Sequence, residues 1–71
     1  MATNQTYVKT EVVGSSSKSV SDAIESAIAT ASRSLRNLDW FEVVGTRGHL
    51  TEDGAVGHYQ VTVKVGFRIE G

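Results

Sequence analysis

Residues Gly57 to Ile69 alternate almost without a break. Tyr59, Val61, Val63, Val65, Phe67 and Ile69 share one parity, and His58, Gln60, Thr62, Lys64, Arg68 and Glu70 the other. A period of two sustained this long predicts a β-strand with one apolar and one polar face. At ~3.3 Å per residue such a strand is roughly 43 Å long. The rest of the chain has to cover its apolar side.

A helix is the natural cover. Ser19 and, three residues later, Asp22 form a capping signature that would satisfy free N–H groups of a first turn. Val20, Ala23, Ile24, Ala27, Ile28, Ala31, Leu35 and Leu38 follow at helical spacing and form one apolar stripe. Glu25, Ser26, Thr30, Arg33 and Arg36 lie off it, the two arginines near the end where the helix dipole favours cations. Alanines on the stripe allow a close approach to a neighbour. The spacing predicts an end near Asn37 and a length of roughly 27 Å at ~1.5 Å per residue. One such helix is too short for the strand. Phe67, Ile69 and Phe41 need another cover, and a second copy of the chain is the simplest.

Tyr7 to Val13 reads as a first strand, with Thr10 and Val12 on one side and Tyr7, Lys9 and Glu11 on the other. Gly14 to Lys18 reads as a Gly/Ser loop. Trp40 to Leu50 reads as another strand, closed onto the last by a turn over Thr51 to Ala55 containing Glu52-Asp53-Gly54. Met1 to Thr6 is polar and expected to fray. The order β-α-β-β implies an α+β fold: residues 1–71 as a single domain, a three-stranded antiparallel sheet packed on one helix.

Composition narrows the function classes. The chain has 71 residues and no Cys, which excludes disulfides and thiolate metal sites. A net charge of −1 argues against a nucleic-acid partner. No run approaches the ~18 apolar residues of a membrane span, and no signal peptide is evident, so a cytoplasmic protein without a membrane partner is expected. A domain this small is marginal alone and calls for oligomerisation or a ligand.

A few side chains point to binding. In the second strand Phe41 and Val43 share one parity, and Trp40, Glu42 and Thr46 the other. The apolar pair is expected to join Val61, Val63 and Val65 under the helix, which puts Trp40 on the polar face with Gln60, Thr62 and Lys64. A large aromatic there either packs in a subunit contact or forms a platform for a planar ligand. Gln60 stands among β-branched residues, where amides are not favoured. Its two donors and two acceptor lone pairs suit the edge of a flavin or nucleobase, and equally a solvent-facing position.

Arg47, His49 and His58 gather near the hairpin end. They could clamp an anion such as phosphate. They could also offer two imidazoles to a metal completed by Glu52 or Asp53, or simply be solvated. No spacing motif supports the metal, and none is assigned. Strict alternation turns Arg47 and His49 to the helix side, unless Gly45 and Gly48 mark a bulge that re-aims them. No nucleophile with an ordered base and no Gly-rich phosphate loop is present, so no catalytic residue is assigned and the chain is not read as an enzyme.

Five stretches in this order resemble one family along nearly the whole chain. They are Tyr7 through Val13-Gly14-Ser15, Leu38-Asp39-Trp40-Phe41-Glu42-Val43, Arg47-Gly48-His49, Tyr59-Gln60-Val61, and Val65-Gly66-Phe67-Arg68-Ile69-Glu70. The chain resembles a bacterial dodecin. That resemblance implies a sheet wrapped around one helix, twelve copies in a hollow shell, and flavins bound in pairs between subunits. It implies that Trp40 stacks on the isoalloxazine, that Gln60 hydrogen-bonds its polar edge, and that Arg47 lies near the flavin. It implies storage and protection of flavin, with FMN or riboflavin the expected ligand and FMN preferred, and photochemistry quenched by electron transfer with the indole. Some members also bind coenzyme A, although position 8 is Val8 where many relatives are basic. A purely structural shell, a combined coenzyme A and flavin store, and a flavin-dependent enzyme are the alternatives.

Overall fold

The alternating segment is the middle of the sheet. In the computed structural model, which describes residues 4–69, four elements follow one another: β1 (Thr6–Ser16), α1 (Val20–Ser34), β2 (Leu38–Leu50) and β3 (Val56–Ile69). β3 pairs antiparallel with β1 on one side and β2 on the other, giving the order β1-β3-β2. The expected α+β, β-α-β-β architecture is the one observed. Of the segment expected to fray, residues 1–3 lie outside the described residues and Thr6 opens β1; Glu70 also lies outside them.

The apolar stripe and the alternation meet as expected. Val61, Val63 and Val65 are buried beneath Ala23 and Ala27, with Val12, Val20, Ile24, Ile28, Leu35 and Leu38 around them. The small alanine side chains bring α1 down onto β1 at Gly14. A β-carbon there would sit 2.3 Å from the Ala23 carbonyl oxygen and 2.7 Å from the Ala27 β-carbon. Only glycine allows that approach.

Several boundaries differ from expectation. β1 runs on to Ser16, so Gly14 and Ser15 are strand residues paired with Val61 and Gln60. The serines of this region have separate jobs. The Ser16 hydroxyl donates to Asp22 Oδ2 (2.6 Å) and accepts from the Lys18 and Ser19 N–H groups. The Ser19 hydroxyl accepts from the Asp22 N–H (3.0 Å) as the N-cap, while the Asp22 carboxylate is taken by Ser16 instead of reaching back to Ser19. At the other end α1 stops at Ser34, three residues early. Leu35 is extended, its N–H returning to the Ala31 carbonyl. Asn37 then turns the chain with φ 62°, a conformation asparagine tolerates. Arg36 therefore lies beyond the helix, and Leu38 belongs to β2.

The mismatch in lengths is real and larger than expected. β3 has 14 residues, about 46 Å, against about 22 Å for the 15 residues of α1. The helix packs across β1 and β3 and leaves β2 open on its inner side. Phe41 and Val43 do face that side, opposite Val65 and Val63, but they are 49% and 45% exposed. The expectation that the helix covers them fails, because α1 lies nearer the β1 edge. The molecule is a slat of 59 × 20 × 14 Å.

Candidate functional site

The pairing of β2 with β3 decides which side chains meet on the outer face. The register slips at three places. Val44 is an extra residue between the pairs Val43–Val63 and Gly45–Thr62, and it reverses the parity of the rest of the strand. Thr46 thereby joins Val61 on the helix side, contrary to its expected place with Trp40. Arg47 comes out opposite Gln60, and His49 opposite His58. Strict alternation would have turned Arg47 inward, so the bulge is what sets it beside the glutamine.

At one end of this face stands Trp40. Its cross-strand partner is Gly66, and the indole lies over that glycine so closely that a β-carbon at position 66 would be 2.3 Å from Cε2. Trp40 remains 40% exposed. Tyr7 flanks it, ring centroids 6.3 Å apart and tilted by 57°, and the Lys9 ammonium lies 5.7 Å from the indole centroid. These neighbours are themselves held. Lys9 Nζ pairs with Glu42 Oε1 at 2.8 Å, which lowers the Glu42 carboxyl below the ordinary carboxylate range. The Tyr7 hydroxyl is 3.0 Å from Asp39 Oδ2 and 2.9 Å from Gln5 Oε1. The hydrogen bond to Asp39 comes first among the causes that push the Tyr7 phenol up, followed by desolvation and the Asp39 charge.

At the other end stand Arg47, Gln60, His49 and His58. The side chains of Arg47 and Gln60 have no hydrogen-bond or ion-pair partner among the described residues. Gln60 precedes Gly66 by six residues on β3, a span of about 20 Å. One chain thus brings Arg47 to Gln60 and keeps Trp40 away from both.

Two features were not anticipated from the residues alone. Gly66 is the seat of the indole, and its signal was a glycine at a polar-parity position of an otherwise regular strand. Asp39, the extra residue before Trp40, anchors Tyr7. The metal set considered from the sequence does not form: no group of three or more metal-type ligands occurs among the described residues, and the Asp53 carboxylate accepts from Thr51 Oγ1. A hollow of about 520 Å³ between Ile24, Ile28 and Phe41 lies on the inner side, beside the uncovered β2. No helix among the described residues is long and apolar enough to cross a membrane.

Known proteins share this fold. The family model described as Dodecin matches residues 6–70. A curated dodecin of Thermus thermophilus is 50% identical over 64 residues, covering 90% of this chain and 91% of its own. The solved dodecin from Streptomyces davaonensis is 51% identical, covers 97% of this chain and 100% of its own, and superposes with a TM-score of 0.89. The dodecin from Streptomyces coelicolor is also 51% identical, covers 99% of each chain, and has a TM-score of 0.88.

Proposed function

The chain belongs to the dodecin family, and on that premise we propose that it stores flavin, with FMN bound in pairs between the subunits of a homododecamer. Dodecins are small flavin-binding storage proteins and not enzymes. The observation that carries the reading to this chain is Trp40: an indole seated on glycine, on the polar side of the sheet, and partly open to solvent. An aromatic ring held flat on a backbone, without a side chain beneath it, is suited to stacking.

The rest of the outer face fits a flavin as well. Gln60 presents unsatisfied donors and acceptors for a ring edge that alternates the two, and Arg47 stands beside it as a cationic donor. In this reading Trp40 of one subunit and Gln60 of another meet on one flavin, which answers the ~20 Å between them in a single chain. The half-exposed Phe41 and Val43 supply the apolar surface such an assembly would bury. Stacking on an electron-rich indole would quench the excited flavin and limit its photochemistry. At the position where many relatives are basic, Val8 pairs with Phe67 and brings no charge for coenzyme A. A cytoplasmic protein whose partners are its own copies and a flavin, with no nucleic acid or membrane, completes the proposal.

The chain has one tryptophan, so its emission reports Trp40 alone. Titration with FMN should quench both the indole and the flavin emission to a saturable end point. Light scattering should return the mass of twelve chains. Indole emission indifferent to FMN would reject the stacking site.

A further inference from the structure

We propose that His49 and His58 form a chelating site for a divalent late first-row transition-metal ion at the hairpin end of the outer face. The two residues are direct cross-strand partners, and their ring centroids are 4.5 Å apart with the planes tilted by 49°. Two imidazoles bound to one ion through metal–nitrogen bonds of about 2.0–2.1 Å have centroids roughly 4.5–5.2 Å apart, for angles from a right angle to tetrahedral. The observed separation lies at the short end of that range.

The pair is held in register and its nitrogens are free. Gly48 packs against β3 so tightly that a β-carbon there would lie 3.0 Å from the His58 carbonyl oxygen. Beyond it the hairpin is closed by Thr51, whose N–H donates to the Ala55 carbonyl (2.7 Å) and whose carbonyl accepts from the Gly54 N–H (3.0 Å). Neither imidazole hydrogen-bonds to a described residue. With no third ligand from the described residues, water completes the coordination and the site is open. Neutral imidazole suits Cu2+, Ni2+ and Zn2+, with Cu2+ bound tightest, and does not suit Mg2+ or Ca2+. Arg47 lies one same-face position away from His49, far enough at an exposed site to weaken the ion's binding without preventing it. The site lies in one chain and does not rest on the flavin reading.

Calorimetric titration with Ni2+ tests it. One ion should bind per chain, and His49→Ala and His58→Ala should each weaken binding at least tenfold while leaving FMN binding in place. Affinity should fall as the solution is acidified, because protons compete for the same nitrogens. Absence of saturable binding, or equal binding in both variants, would overturn the proposal. The unmodified protein gives a second check that does not depend on folding of a variant. It has two histidines, and substoichiometric Cu2+ should broaden both imidazole resonances together. Broadening of one alone, or of neither, counts against chelation.

Discussion

The indole of Trp40 rests on the backbone of Gly66, its partner on the neighbouring strand, with no room for a β-carbon between them. Gly66→Ala should therefore lift and rotate the indole while the sheet pairing survives. The expected result is altered near-ultraviolet dichroism and at least a tenfold loss of FMN affinity, with far-ultraviolet dichroism unchanged. An unchanged FMN affinity would mean that the seat is not what positions the ring.

Removing the ring is the more drastic test of the same contact. Trp40→Ala should cost about 1–3 kcal/mol of flavin affinity from lost stacking. Trp40→Phe, which keeps a smaller aromatic, should fall between the two. Equilibrium dialysis of FMN against the three proteins checks the order.

Gly14→Ala probes the packing of α1 on β1. The new methyl would meet the Ala23 carbonyl oxygen, a backbone atom that cannot swing away. The helix has to move, at a cost of about 1–3 kcal/mol or more. Chemical denaturation should show it as a lower midpoint at unchanged slope.

Ser19→Ala removes the acceptor for the Asp22 N–H at the start of α1. About 1 kcal/mol of stability should be lost, within the 0.5–2 kcal/mol range for such caps. Ser19→Asp should retain most of it, since a carboxylate caps the same N–H and favours the helix N-terminus. Thermal unfolding of the three proteins gives the comparison.

The Tyr7–Asp39 contact predicts a pH effect at the alkaline end. The Tyr7 phenol is raised above its ordinary value, first by its hydrogen bond to Asp39. A raised pKa in the folded state means the contact stabilises fully below the unfolded pKa and loses that effect as pH rises through the folded one. Asp39→Asn should bring one of the two tyrosine titrations down towards the free value in an ultraviolet absorbance titration. For Glu42, lowered by Lys9, the sense is opposite: the pairing favours the fold above the unfolded carboxyl pKa and fades as pH falls. Lys9→Met should raise the Glu42 titration seen by NMR.

Much of this was readable in the residues. The period-two run from Gly57 to Ile69 and the stripe from Val20 to Leu35 each state one buried face, because burial selects side chains at the period of the backbone. The joint order of short stretches such as Asp39-Trp40-Phe41 and Tyr59-Gln60-Val61 pointed to the family. The polar-face position of Trp40 followed from parity, and the structure agrees.

The tertiary structure decided what parity could not. Val43-Val44 fits either face, so nothing in the residue types says that Val44 is the inserted one. Only the hydrogen-bond register with β3 does, and it sends Arg47 to Gln60, His49 to His58, and Thr46 to the helix side of the sheet. The same holds for the cover of β2. An apolar stripe says that α1 buries one side, not which two strands it lies across, and its seat on Gly14 near the β1 edge leaves Phe41 and Val43 open. By itself the sequence determined the elements and their faces, because those rest on local periodicity. The structure determined which residues meet, because register and helix placement are settled by contacts between segments far apart in the chain.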